Sequence, residues 1–244
     1  MAQVAMICSG KGGVGKSTMT CFLGRALAAM GQRVLMIEFD RGLRSLDTMA
    51  GLSEQVLFHL GDVLDGRCES GDALLTVKAT PNLQLICAPA SVDARLNQRV
   101  LSGWIIGLRN YYDFILLDAP AGLGEVFCIC SNICDLALVV VTPDKICTRD
   151  AAITADMLRD ADRPGRLIIN QFSPKLFKKS GFATLDDVID EVGLQLIGVV
   201  EHSDNLAVAA HSGLTLSEGR IKEEIDDIAC RLQGQDIPLK TNFS

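Results

Sequence analysis

A glycine-rich stretch near the N-terminus contains two lysines that could neutralise phosphate. The stretch reads GKGGVGKS over residues 10–17. It matches the pattern G-x-x-x-x-G-K-S/T, and it lies between an apolar run and a helical pattern over 18–30, which is the context that a phosphate-binding loop requires. The sequence therefore predicts a nucleotide site formed by Gly10, Lys11, Gly12, Gly13, Val14, Gly15, Lys16, Ser17 and Thr18.

The two lysines of this loop need different explanations. Lys16 is expected to bridge the β- and γ-phosphates, and the hydroxyl of Ser17 is expected to ligate Mg²⁺. A second ammonium beside the same phosphates would meet like charge, so Lys11 is expected to point away from its own loop. The alternatives are a glycine-rich turn without a ligand and a solvated loop lysine.

Acidic residues follow two other apolar runs. The segment EFDRGLRSLD, residues 38–47, places Asp40 where a carboxylate could orient an attacking water, although acidic loops are often only solvated. Asp118 ends the run FILLD in the arrangement that holds Mg²⁺ through water. We expect Gly122, just beyond it, to offer a backbone N–H near the γ-phosphate.

Seven apolar runs separated by helical patterns must position these residues. The runs are VAMIC, RVLMIEF, LQLICA, DFILLDA, LALVVVT, RLIINQF and LQLIGVV. Continuous rather than alternating apolar runs suit strands that are covered on both faces. We therefore predict an α/β fold with a doubly wound, mostly parallel sheet and helices on both faces, as one domain over 1–232 with a tail over 233–244. Ligands bind such sheets at the carboxyl ends of the strands.

Composition narrows the classes of function. The chain of 244 residues carries 23 Lys and Arg against 30 Asp and Glu, a formal net charge of −7, which disfavours nonspecific DNA binding. No apolar stretch approaches the length of a bilayer span, and the N-terminus lacks the charged region of a signal peptide. We expect a cytoplasmic protein.

The nine cysteines favour packing thiols over disulfides. Cys128, Cys130 and Cys134 could suggest a metal or iron-sulfur site, but C-x-C-x-x-x-C is not a standard ligand spacing.

The stretch GKGGVGKST resembles the deviant Walker A motif of the MinD/ParA family of P-loop ATPases. The resemblance implies that ATP and Mg²⁺ are bound, and that Lys11 reaches across an ATP-sandwich homodimer to the partner's nucleotide. A lysine supplied by the other subunit would make hydrolysis depend on dimerisation, as an arginine finger does. On this interpretation Lys11, Lys16 and Asp40 are the catalytic residues, and Ser17 and Asp118 hold the metal.

Two further segments carry the same resemblance. Residues 38–47 are similar to the pattern D-x-D-x-G-L-R-N-L-D of MinD members at Asp40, Gly42, Leu43, Arg44, Leu46 and Asp47, whereas Glu38 and Ser45 depart from it. DAPAG resembles the second switch segment of the family. In relatives an asparagine at the position of Asn170 reads the adenine edge, although a turn-forming asparagine is the alternative.

The resemblance implies a dimerising ATPase that positions the division site or other cargo and acts with a protein effector. MinD members usually end in a basic amphipathic helix that inserts into membrane. Here Ile221, Ile225, Ile228 and Leu232 form an apolar stripe, but the opposite side is acidic, so we expect this helix to pack on the domain and any membrane contact to go through a partner. Alternatives are a metal-cluster carrier, a flagellar or other cargo-positioning ATPase, and a ParA-type DNA-partitioning ATPase.

Overall fold

The fold is built on one eight-stranded sheet. A computed structural model describes residues 1–40, 45–89, 96–216 and 218–240. The strands are β1 Gln3–Cys8, β2 Val34–Glu38, β3 Leu75–Thr76, β4 Leu83–Ile86, β5 Phe114–Asp118, β6 Leu136–Val141, β7 Gly165–Phe172 and β8 Leu196–Glu201. Their order is β3-β4-β2-β5-β1-β6-β7-β8, and every neighbouring pair except β3 with β4 is parallel. The doubly wound, mostly parallel sheet is confirmed.

Each of the seven apolar runs forms a strand. β3 is the strand that the sequence did not predict, because two residues carry no periodic pattern. The helices are α1 Lys16–Ala29, α2 Leu46–Ala50, α3 Leu60–Leu64, α4 Ser70–Ala73, α5 Gln98–Leu108, α6 Glu125–Ile133, α7 Lys145–Asp160, α8 Pro174–Phe177, α9 Leu185–Val192, α10 Asp204–His211 and α11 Arg220–Leu232. The first helix starts two residues earlier than its sequence pattern, directly at the lysine of the phosphate loop.

The strand order creates a switch point beside β1. From β1 the chain continues to β2 on one side, and it later returns to place β6 on the other side. Register pairs Ile7 and Glu38 with Asp118, so that three central strands end at the same level. A crevice at the carboxyl ends of strands where the order reverses is where ligands bind in open α/β sheets.

The last helix packs on the domain as its apolar stripe predicts. α11 contacts α1 and β8, and Ile225, Ile228 and Leu232 are buried. The guanidinium of Arg231, in the last turn of α11, donates to the carbonyls of Ile237 and Pro238 beyond the helix at 2.8 Å each. Within the four described stretches of the chain, no helix is both long and apolar enough to cross a bilayer.

The seam between α11 and β8 depends on a glycine. A β-carbon at Gly198 would lie 2.3 Å from Cγ1 and 2.6 Å from Cδ1 of the buried Ile228. We predict that Gly198→Ala lowers the free energy of unfolding by about 1–3 kcal/mol, measured by urea denaturation. Gly103→Ala is the control, since a β-carbon in that part of α5 meets no atom within 4 Å. Equal stability of Gly198→Ala and the wild type would show that this seam is loosely packed.

Candidate functional site

The phosphate loop runs from the end of β1 into the start of α1. The hydroxyl of Ser9 donates to the Lys11 carbonyl at 2.6 Å, and the Gly122 N–H donates to the Ser9 carbonyl at 3.2 Å. Gly13 and Gly15 have φ angles of 81° and 92°, a left-handed conformation that favours glycine. The sequence pattern therefore forms a tight turn, and Gly122 of the second switch segment is attached to its base.

Two side chains from β7 donate hydrogen bonds to carbonyls of the phosphate loop. The Asn170 amide nitrogen donates to the Val14 carbonyl at 2.7 Å, and the Gln171 amide nitrogen donates to the Gly13 carbonyl at 3.2 Å. Asn170 is only 3% exposed, and its Oδ1 is buried without a hydrogen-bond partner. These contacts give Asn170 a loop-supporting role that the sequence did not reveal, while adenine recognition stays a prediction.

The loop also lies directly against α7. A β-carbon at Gly10 would lie 2.8 Å from both the carbonyl oxygen and Cβ of Asp150. Any larger side chain at Gly10 would push the helix backbone away, so the first glycine of the motif is required for packing as well as for the turn. A displacement of the loop at Gly10 would therefore press directly on the backbone of α7.

Lys16 is a nearly buried cation beside the loop. It is 7% exposed as the first residue of α1. Among the described residues, none forms an ion pair or a hydrogen bond with its ammonium. A buried charge is costly unless it is paired, so this side chain favours an anion in the loop beside it.

Asp118 is the buried carboxylate of the site. Its oxygens accept hydrogen bonds from the Ser17 hydroxyl at 2.7 Å and from the Thr20 hydroxyl at 3.0 Å. Burial raises the pKa of Asp118 to about 7, and the negative charge of Glu38 adds to this, whereas the two hydroxyls and Lys16 lower it. Thr20 was missed by the sequence analysis, although its spacing of three residues from Ser17 places both hydroxyls on one face of α1.

Glu38 links three backbone segments near Asp118. One of its carboxylate oxygens accepts from the N–H groups of Ser45 and Leu46 at 2.7 and 3.0 Å, and the other accepts from the Ala88 N–H at 3.3 Å. Burial raises the pKa of Glu38, and these backbone donors partly oppose the increase. Glu38, which departs from the family pattern, therefore anchors the start of α2 to β2 and to the segment just after β4.

Asp40 lies just beyond β2 and is partly buried. Burial raises its pKa, and the positive charge of Lys16 partly opposes that effect, which puts the two groups within electrostatic reach. Gly42, Leu43 and Arg44 lie outside the described residues. Leu46 and Asp47 belong to the first turn of α2 and are buried.

Lys11 has the opposite environment to Lys16. It is exposed, and it acts electrostatically on Asp144 at the start of α7. Burial raises the pKa of Asp144, but hydrogen bonds from Thr142 and from the first turn of α7, together with the charge of Lys11, bring it below its ordinary value. The exposed position agrees with a lysine that does not serve its own loop.

These residues fit a magnesium nucleotide. The unpartnered ammonium of Lys16 suits phosphate, and a β-carbon at Gly15 would lie 2.3 Å from the Asn170 amide nitrogen, so the loop backbone is held closely in its turn. The hydroxyl of Ser17 and the carboxylate of Asp118 are the hard oxygen donors that Mg²⁺ prefers. Thr18 follows as the third residue of α1 and is half-buried.

The three cysteines within residues 128–134 differ in their exposure. Cys128 is exposed, whereas Cys130 and Cys134 are buried. Burial raises the pKa of the Cys134 thiol to about 11 and that of Cys130 well above its ordinary value, which opposes the thiolate form that binds metal. Among the residues whose positions are described, no cluster of three or more His, Cys, Asp or Glu could hold a metal ion.

Comparison with known proteins places the chain in a family. Residues 5–216 match the family described as the CobQ/CobB/MinD/ParA nucleotide binding domain. The chain is 33% identical over 252 residues to the septum site-determining protein MinD of Thermotoga maritima, covering 100% of this chain and 92% of that protein. It is 30% identical to the MinD of Bacillus subtilis, covering 98% and 92% of the two chains.

Solved structures agree with the sequence matches. The MinD chain of the MinC:MinD cell division complex of Aquifex aeolicus superimposes with a TM-score of 0.90 at 33% identity, over 98% of this chain and 99% of that one. MinD of Pyrococcus horikoshii, solved with Mg-ADP, gives a TM-score of 0.85 at 25% identity, over 95% and 96% of the two chains. The chain therefore belongs to the CobQ/CobB/MinD/ParA nucleotide-binding family, and its resemblance to MinD-type P-loop ATPases is confirmed.

Proposed function

We propose that this protein is an ATP-dependent, dimerising ATPase switch that positions the cell-division site. The observation that carries the proposal is the contrast between two lysines in one loop. Lys16 is buried, has no partner for its ammonium in the described part of the chain, and suits the phosphates of its own subunit. Lys11 is exposed at the edge of the same loop. The septum site-determining relatives support the division-site role.

The chain's own residues divide the work of phosphoryl transfer. Lys16 and the loop N–H groups bind and orient the phosphates, and Ser17 with Asp118 holds Mg²⁺. The metal, when bound, neutralises charge on the phosphate oxygens. Asp40 orients the attacking water. The Gly122 N–H, which donates to the Ser9 carbonyl at 3.2 Å, turns to the terminal phosphate when ATP is bound. The Asp40 carboxylate is partly buried and can accept a hydrogen bond from that water.

One more positive charge is needed beside the terminal phosphates, and a second copy of the chain supplies it. Phosphoryl transfer is accelerated strongly when an additional cation reaches the terminal phosphates from outside the subunit. Lys11 of one subunit does this for the nucleotide of the other, so that ATP binding joins two copies and hydrolysis separates them. Within one subunit Lys11 acts electrostatically on Asp144, and dimerisation moves it to the interface.

The output of the switch is a surface for a protein effector. Glu38 ties the start of α2 to the strands that end beside the nucleotide, so the position of α2 depends on the same strand ends. The Aquifex aeolicus relative was solved in a MinC:MinD complex, which supports an effector for this chain as well. Membrane contact is proposed to go through a partner, because Glu223, Asp226 and Asp227 oppose anionic lipid on α11.

DNA partitioning is the less favoured function of the same fold. A plasmid partition protein from Borrelia burgdorferi has a similar fold, with a TM-score of 0.79 at 21% identity. Against it stands the net charge of −7, since nonspecific DNA binding depends on phosphate neutralisation by Lys and Arg.

The most direct test of the function replaces Lys11. We predict that wild-type protein doubles its mass in ATP but not in ADP, measured by light scattering. Lys11→Gln is expected to stay monomeric in ATP and to lose at least about 10³-fold in hydrolysis rate, because the charge from the second subunit is absent. Arg99→Gln, which removes an exposed cation from α5, should behave as wild type. An ATP dimer of normal activity in Lys11→Gln would refute the proposed switch.

Asp40 should separate binding from hydrolysis. We predict that Asp40→Asn dimerises in ATP but hydrolyses it about 10² to 10⁴ times more slowly, because the water is no longer oriented by a carboxylate. Rapid-quench measurement of phosphate release checks the rate. Asp65→Asn, an exposed carboxylate before α4, is the control. Hydrolysis at the normal rate in Asp40→Asn would assign the water to another residue.

Glu38 should affect the rate more than the binding of nucleotide. Glu38→Asp restores the residue of the family pattern but shortens the side chain by one methylene, which withdraws its oxygen from Ser45 and Leu46. We predict a fall of about ten-fold in kcat, with a nucleotide Kd within about two-fold of wild type, because misplacement of nearby groups costs rate. Glu54→Asp makes the same chemical change at an exposed site. A changed Kd with an unchanged kcat would contradict this role.

A further inference from the structure

A second buried cation, away from the phosphate loop, lacks an anionic partner. Arg25 in α1 is 6% exposed. Its Nη2 donates to the carbonyls of Met49 at 2.9 Å and Gly213 at 3.2 Å, but its Nε is buried without any hydrogen-bond partner. In the described parts of the chain no carboxylate pairs with this guanidinium. An unpaired buried charge is unfavourable, so the side chain favours an anion that could reach it.

A cavity of about 180 Å³ opens beside this guanidinium. Its walls are the end of α2 with Gly51, the turn between β3 and β4 with Lys78, and the segment after α10 with Gly213. None of the residues that line it is acidic, and Arg25 and Lys78 give it two positive charges in a protein whose net charge is −7. We name this cavity the Arg25 cleft.

The Arg25 cleft is separate from the nucleotide site. Arg25 follows Lys16 by nine residues on the same helix, which is a rise of about 13 Å along its axis. One phosphate group cannot contact both side chains at that separation. A second cavity of about 200 Å³ shares Arg25 and Ala79 with the cleft, but there Lys222 is already paired with Asp226.

We propose that the Arg25 cleft binds a small anion that carries a carboxylate or phosphate group. The Arg25 side chain lines the cleft, and guanidinium geometry matches both of these anions. Lys78 is exposed at the rim of the cleft and adds a second, mobile charge. The volume suits a small anion.

The ligand would bind next to α2, the helix that follows β2. Arg25 contacts the carbonyl of Met49 near the end of α2, and Glu38 holds the start of that helix. An anion that engages Arg25 therefore lies against the contact between α1 and α2. The site does not require the dimer switch, so its failure would leave the proposed function untouched.

The test titrates anions into protein whose phosphate loop is filled with Mg²⁺ and ADP. Inorganic phosphate and succinate are added in separate series at constant ionic strength, and the midpoint of thermal unfolding is followed. A ligand that binds only the folded protein raises this midpoint along a saturable curve. We expect saturation with at least one of the two, and the comparison tells which anion class fits. The absence of a saturable rise in both series would overturn the proposal.

Variants assign the effect to the cleft. Arg25→Gln should abolish the saturable rise, and Lys78→Gln should weaken the apparent affinity about five-fold, as loss of an exposed charge pair does. Arg33→Gln, which removes an exposed cation paired with Asp113 elsewhere, should leave the curve unchanged. If Arg25→Gln does not fold, Lys78→Gln decides. A wild-type curve in Lys78→Gln, or one lost equally in Arg33→Gln, would refute the Arg25 cleft.

Discussion

Two buried charges of opposite sign at the carboxyl end of the central strands impose the main constraint on this molecule. Burial raises the pKa of Asp118 and the positive charge of Lys16 lowers it, yet no ion pair joins the two side chains. Each is kept in place by neighbours, Asp118 by two hydroxyls of α1 and Lys16 by its position at the first helical residue. A magnesium nucleotide would satisfy both charges at once. The two groups therefore form an electrostatic arrangement that a magnesium nucleotide would complete.

Close backbone packing connects the surroundings of those two groups to the outer elements of the fold. Gly10 allows α7 to approach the loop, Asn170 and Gln171 hold the loop carbonyls, and Glu38 connects β2 with α2. Each of these contacts joins the nucleotide loop or a neighbouring strand end to an outer element. Because packed interiors deform little, a shift at the phosphates moves these outer elements as units. This connection gives an ATPase of the MinD type a means to change its surface.

The sequence predicted the fold well because seven continuous apolar runs and a phosphate loop in context are strong local signals. Lys16, Ser17 and Asp118 lie together as expected, since strand order brings their elements to one edge. The partners of Glu38 and the loop contacts of Asn170 could not be predicted, because they depend on which backbone groups meet after folding. Thr20 carried a signal in its spacing from Ser17, but its contact with Asp118 depends on the fold. The lack of a carboxylate beside Arg25 among the described residues is of the same kind, since a helical pattern does not tell whether a buried arginine meets a carboxylate.

The central claim is that Lys11 serves the nucleotide of a second subunit. A crystal structure of Asp40→Asn with ATP and Mg²⁺ measures this directly, because slow hydrolysis preserves the triphosphate. We expect a face-to-face pair in which the Lys11 ammonium lies within about 3 Å of an oxygen of the partner's nucleotide. A triphosphate-bound structure in which Lys11 contacts only solvent or its own subunit would contradict the account.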